Sequence, residues 1–116
     1  MKLVNHSDSC GLNGSEGDVR LAVTFGDGQT GTSTVVVDGN VVAAGASLSN
    51  VLIGQAENLA GKSVIVRSLV SQGNASSQHF SVVHDVAASK THQQFIVADV
   101  FDTGVSASIA ETVTFS

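Results

Sequence analysis

The chain has 116 residues, of which 42% are hydrophobic, and five basic against ten acidic side chains give it a net charge of −5. This length suits a single domain, and the hydrophobic share is sufficient for a core. Scarce Lys and Arg argue against nucleic acid and against a membrane surface as partners, because both are bound mainly through positive charge.

Residues 1–17 are rich in Ser, Asn and Gly and have no hydrophobic period. We expect a flexible lead-in here, with Leu3–Val4 at most a short edge strand, followed by one domain over 18–116. No apolar leader segment is visible, so we expect a cytoplasmic or virion location, or secretion if a leader has been removed. The single cysteine, Cys10, excludes an internal disulfide, and we assign it no role.

The first half of the predicted domain is typical of β-strands. Val19, Leu21, Val23 and Phe25 alternate with more polar residues, the period of a half-buried strand. Thr32 to Asp38 is largely β-branched, and Asp38-Gly39-Asn40 predicts a hairpin turn that leads into a strand over 41–44. A strand around 50–53 and at most one helical turn over 54–59 follow.

Gly61-Lys62-Ser63 is similar to the tail of a phosphate-binding loop. That loop requires a further glycine five positions before Gly61, where this chain has Ala56, and it must open a helix. The residues after Lys62 instead predict a strand over 62–71. We therefore interpret Gly61 as a turn residue with positive φ.

Three further strands are predicted over 78–86, 93–101 and 105–115. Short strands at this spacing, separated by Gly, Asn and Asp turns, predict an all-β fold. We expect an antiparallel β-sandwich, jelly-roll or immunoglobulin-like, with about seven to nine strands.

Asp102-Thr103-Gly104 matches the catalytic tripeptide of aspartic proteases. It lies too close to the C-terminus for that fold, since a flap and further core strands must follow the catalytic loop. We predict a three-residue hairpin loop instead, with Phe101 paired to Val105. A hydrolase of this type is the least favoured function.

Three ionisable residues interrupt apolar faces of the last strands: His84, Asp99 and Glu111. The predicted hairpin places Glu111 opposite Phe95, with His84 roughly 9–10 Å away in the same row and Asp99 roughly 13 Å from Glu111. These separations predict no metal site. We expect the three residues at rims or in a subunit interface, or lining a ligand pocket in which His84 and Glu111 share an accessible cleft.

The leading hypothesis for function is a non-enzymatic module that works by protein–protein association or self-assembly, as a homo-oligomer or with a protein partner. The edge strands of the predicted sandwich have few residues that would prevent pairing with another chain, because the sequence contains only three Lys and no Pro. The alternative is a calcium-assisted or lectin-like ligand-binding module, with calcium bound at the acidic loops by Asp27, Asp38 and Asn40, or by Asp85 and Asp102. The absence of Trp and Tyr disfavours carbohydrate, and we expect no other cofactor.

Overall fold

The computed structural model describes residues 1–102 and 104–116, and Thr103 lies outside the described residues. The strands, in chain order, are β1 (Lys2–Cys10), β2 (Asp18–Gly26), β3 (Thr30–Val37), β4 (Asn40–Gly45), β5 (Leu48–Gln55), β6 (Ser63–Ser71), β7 (His79–Ala87), β8 (His92–Val100) and β9 (Ser106–Phe115). One helical turn, α1 (Ala56–Leu59), lies between β5 and β6. Within these residues, no helix is long and apolar enough to cross a membrane.

The strands form two sheets that pack face to face. Sheet A has the order β1-β9-β6-β3-β4, and sheet B has the order β5-β2-β7-β8. The pairs are antiparallel, except that β1 runs parallel to β9. The predicted all-β sandwich is therefore confirmed.

The core lies between the sheets and consists of the inward residues of each strand. On β7 these are Phe80, Val82, His84 and Val86, and on β9 they are Ala107, Ile109, Glu111, Val113 and Phe115. Stiff β-branched side chains fill most of the space, as the alternating pattern predicts. Two polar side chains, His84 and Glu111, are thus buried among apolar ones.

Two predicted turns are confirmed by their backbone angles. Asp38 and Gly39 both have positive φ, 51° and 81°, as a two-residue hairpin between β3 and β4 requires. Gly61 has a φ of 83° and directs the chain from α1 into β6. Both glycines occupy a conformation that other residues adopt at a cost.

The prediction of a flexible lead-in was wrong for residues 2–10. These residues form β1, which pairs with β9 along its whole length, from Lys2 opposite Ala107 to Cys10 opposite Phe115. Val4 packs against the core and Cys10 is fully buried. Backbone pairing to the last strand orders a segment whose own composition is too polar to predict a strand.

The predicted hairpin between the last two strands was also wrong. β8 pairs with β7 in sheet B, whereas β9 pairs with β1 and β6 in sheet A, so the last two strands lie in different sheets. Glu111 therefore lies opposite His6 and Val66 rather than Phe95. A period of two identifies the residues that share a face, but it does not identify the neighbouring strand.

Candidate functional site

The parallel pairing of β1 and β9 brings three ionisable side chains together. His6 is the register partner of Glu111, and Asp8 lies two residues further along the same inward face of β1. One ligand atom from each side chain lies within 4.8 Å of the others. We call His6, Asp8 and Glu111 the inner polar cluster.

His6 is placed between the two carboxylates of the cluster. Its Nδ1 is 2.6 Å from Oε2 of Glu111 and 3.1 Å from Oδ2 of Asp8. One N–H cannot point at both oxygens, and only the contact with Glu111 is a hydrogen bond. Oδ2 of Asp8 therefore has an ion-pair distance to the ring but no hydrogen-bond partner within the described residues.

Glu111 forms the buried end of the cluster. Its side chain is 0% exposed, and its Oε1 has no hydrogen-bond partner among the described residues. Burial raises the pKa of Glu111 to about 7, with a further upward contribution from the Asp8 carboxyl, while His6 opposes the shift. The hydrogen bond to Glu111 in turn raises the pKa of His6. A contact between a histidine and a carboxylate normally raises the pKa of the histidine and lowers that of the carboxyl. The pKa of Glu111 rises nevertheless, because its burial has a larger effect than the contact with His6.

His84 belongs to sheet B and is also fully buried. Its Nδ1 lies 3.1 Å from the Phe95 carbonyl oxygen, so Nδ1 carries the proton and donates it. Nε2 then holds a lone pair, and it has no hydrogen-bond partner in the described part of the chain. Burial lowers the pKa of His84, and the charges of Asp8 and His6 also act on it. The ring therefore lies within electrostatic range of the inner polar cluster.

The three residues selected from the sequence do not form one site. His84 and Glu111 are both buried, rather than accessible in a shared cleft. Asp99 lies apart from them at the rim, where it is 3.4 Å from Lys2. The Val100 N–H donates to the Asp99 carboxylate at 2.8 Å and lowers the pKa of that carboxyl.

Sequence reasoning missed His6 and Asp8, because both fall in the segment interpreted as a lead-in. A signal is present in retrospect. Val4, His6, Asp8 and Cys10 alternate with Leu3, Asn5, Ser7 and Ser9, and the first set faces inward. Because half of the residues on this inward face are ionisable, β1 is recognisable as a strand only once Glu111 is known to lie opposite His6. The same pairing explains Cys10, whose thiol pKa is raised by burial.

The turn aspartates proposed for calcium have local explanations. Asp27 and Asp38 have φ values of 61° and 51°, a conformation that Asp tolerates better than most residues. Asp38 also lies 3.6 Å from Lys62, and Asp85 contacts His92. Asp102 accepts the Gly104 N–H at 3.1 Å. Within residues 1–102 and 104–116, none of these carboxylates belongs to a cluster of three or more His, Cys, Asp or Glu side chains close enough to share a metal ion.

A second feature is the free edge of β8 in sheet B. This strand pairs with β7 in regular register over all nine residues and contains no Lys, Arg or Pro. On its outward face, Ile96 is 54% and Val100 38% exposed. Its one acidic residue, Asp99, points inward and pairs with Lys2.

The other three edges have more protective features than β8, whose single inward charge, Asp99, is paired with Lys2. The pairing of β5 with β2 is interrupted by two register shifts, and that of β4 with β3 by one. β1 has the inward His6 and Asp8 together with Lys2. Bulges, lysines and inward charges are the usual means by which edges avoid pairing with other chains. β8 is therefore the edge best suited to accept another strand.

No known protein family, no curated protein and no solved structure matches this chain. The function must therefore be inferred from these two features.

Proposed function

We propose that the chain is a non-enzymatic β-sandwich module that functions by associating with a second copy of itself through the free edge of β8. The observation that supports this proposal is the regular, nine-residue edge strand with exposed Ile96 and Val100 and without Lys, Arg or Pro. Unpaired N–H and C=O groups on such an edge are a template for a strand from another molecule.

The sequence of β8 is compatible with pairing to itself. Ile96 is the central residue of His92–Val100, so antiparallel pairing about Ile96 aligns all nine residues of both copies. Ile96 then lies opposite Ile96, Gln94 opposite Ala98, and Gln93 opposite Asp99. The two Asp99 carboxylates are at opposite ends of the ladder, and no like charges face each other.

Such a pairing has twofold symmetry, the commonest symmetry of homodimers. It would join two four-stranded B sheets into one continuous sheet and cover the exposed Ile96 of both copies. The main-chain hydrogen bonds would supply affinity, and the alternate side chains would fix the register.

The test is the oligomeric state of Ile96→Lys. We expect wild-type protein to dimerise with rising concentration in sedimentation velocity, and Ile96→Lys to remain monomeric, because two lysines would face each other at the centre of the ladder. Leu69→Lys is the matched control: Leu69 is 45% exposed, but it lies on β6, which has a neighbour on each side. This control should dimerise like the wild type.

Two results would contradict the proposal. Wild-type protein that stays monomeric up to millimolar concentration would exclude self-association. Dimerisation that survives Ile96→Lys but is lost in Leu69→Lys would move the interface from the β8 edge to the outer face of sheet A.

A further inference from the structure

We propose that the inner polar cluster binds a divalent transition-metal ion of the Zn²⁺ class, with His6, Asp8 and Glu111 as ligands. One imidazole nitrogen and one oxygen from each of two carboxylates lie within 4.8 Å of one another. They come from two strands at the edge of sheet A, held side by side by parallel pairing. None of the three ligands belongs to β8.

Unpaired acceptor atoms around the cluster are a second observation in favour of a cation. Oε1 of the fully buried Glu111 and the buried Oδ2 of Asp8 have no hydrogen-bond partner among the described residues. Buried acceptors without donors are costly, and native proteins rarely retain them without a reason. A proton shared between Glu111 and Asp8 would pair these two oxygens, and the hydrogen bond with Asp8 contributes to the raised pKa of Glu111. A metal ion would in addition compensate the charge of both carboxylates.

His84 supplies a third unpaired acceptor from the opposite sheet. Its Nδ1–H donates to the Phe95 carbonyl, and the lone pair of the buried Nε2 has no hydrogen-bond partner among the described residues. A backbone carbonyl on the other ring nitrogen is the usual arrangement of a metal-binding histidine. His84 lies outside the group of atoms within 4.8 Å of one another. We therefore assign it to the surroundings of the ion.

The ligand types indicate the class of metal. An imidazole combined with carboxylates suits Zn²⁺, Co²⁺, Mn²⁺ or Fe²⁺, whereas Ca²⁺ takes six to eight oxygen ligands. Zinc bonds of about 2.0–2.2 Å place tetrahedral ligands roughly 3.4 Å apart. The distances of 2.6 and 3.1 Å from His6 Nδ1 to the two carboxylate oxygens must therefore lengthen slightly on binding. His6 and Asp8 have room to move, because they lie on an edge strand and their side chains are 43% and 29% exposed.

The exposure of the ligands also provides a route of entry. Glu111 is at the buried end, while His6 and Asp8 are partly open to solvent. An ion reaching the cluster from the β1 edge would meet the exposed ligands first. Once bound, it would link β1 to β9 and compensate the carboxylate charge that burial disfavours.

The test uses metal-stripped protein titrated with Zn²⁺, Co²⁺, Mn²⁺ and Ca²⁺ at pH 7.5 by calorimetry, with Co²⁺ also followed by its visible absorption. We expect one equivalent of Zn²⁺ and of Co²⁺ to bind, and Ca²⁺ to bind much more weakly. Glu111→Gln and His6→Gln should each weaken Zn²⁺ at least tenfold, as the loss of a ligand requires. Glu111→Gln keeps the shape of the buried side chain, and circular dichroism checks its fold.

His92→Gln is the matched control. His92 is also a strand histidine in contact with a carboxylate, Asp85, but it lies exposed on sheet B. Its loss should leave Zn²⁺ affinity unchanged. If Glu111→Gln does not fold, His6→Gln decides the matter, because His6 is half-exposed and its replacement leaves no buried cavity. Absence of stoichiometric binding by wild-type protein, or equal weakening by His92→Gln and His6→Gln, would overturn the proposal.

Discussion

Gln29 and Glu111 are both buried polar side chains, but their surroundings differ. Gln29 is 5% exposed, and its Nε2 donates to the carbonyls of Ser77 at 3.2 Å and His79 at 2.9 Å. Its Oε1 accepts the Asn74 N–H at 3.0 Å. Both ends of the amide are therefore paired with backbone. Glu111 has one paired oxygen and one unpaired oxygen, with a second carboxylate beside it.

This difference means that Gln29 stabilises the fold, whereas burial of Glu111 costs stability. The amide of Gln29 provides both donors and acceptors, and the 72–79 connection matches them. The inner polar cluster holds acceptors in excess of donors, which destabilises a core unless something positive is added. Residues that lower stability are retained at sites that serve another purpose, as metal binding would explain here.

The largest effect should come from Gln29→Ala. The substitution leaves the His79 carbonyl and the Asn74 N–H without a side-chain partner beneath the connection between β6 and β7, while the Ser77 carbonyl keeps its bond from Gln72. We expect a loss of about 4 kcal/mol in the free energy of unfolding, measured with urea. Gln72→Ala, which removes a single bond to the Ser77 carbonyl, should lose only about 1 kcal/mol. Equal losses would mean that Gln29 has no special role.

The pH dependence of stability should identify Glu111 in metal-free protein. Its folded-state pKa of about 7 lies above the ordinary value of 4.5. The folded state thus binds the extra proton, and stability falls as pH rises from about 5 to 8, by at most about 3 kcal/mol. The raised pKa of His6 acts in the same direction, since its stabilisation is lost as pH rises. The lowered pKa of His84 acts oppositely, with stability lost as pH falls below 6.5.

Urea unfolding at several pH values in the presence of EDTA measures this slope, and Glu111→Gln should remove most of it. Zn²⁺ should reverse the trend, because metal ligands lose their protons and affinity rises with pH. A slope that is unchanged in Glu111→Gln would show that another group dominates the titration.

The sequence was sufficient for the strands between Asp18 and Val37 and for the turn at Asp38-Gly39, because alternation and turn chemistry are local signals. It was not sufficient for β1. Only Val4 and Cys10 of its inward face are apolar, and its order comes from pairing with β9, 105 residues away at His6 and Glu111. Long-range pairing of this kind leaves little trace in a single sequence.

The candidate site was half predictable for the same reason. Glu111 and His84 were recognisable as ionisable residues on apolar faces, which is an unusual position for either. Their neighbours were not recognisable, because the assumed hairpin placed β8 beside β9, whereas the two strands lie in opposite sheets. Because of this wrong pairing, the sequence predicted a row of separated residues, His84, Asp99 and Glu111, instead of the cluster that Glu111 forms with β1.

The smallest effect should come from Asp99→Asn, the rim counterpart of the cluster. Asp99 and Lys2 are about one-third exposed and 3.4 Å apart, so water and salt screen their attraction. Asparagine retains the acceptor for the Val100 N–H, and we expect an unchanged thermal midpoint.

Asp8→Asn is the matched change within the cluster. It replaces an unpaired acceptor with a donor beside Glu111 and should raise the midpoint of metal-free protein at pH 8. If both variants leave the midpoint unchanged, the cluster is as well solvated as the rim, and its distinction from a surface ion pair disappears.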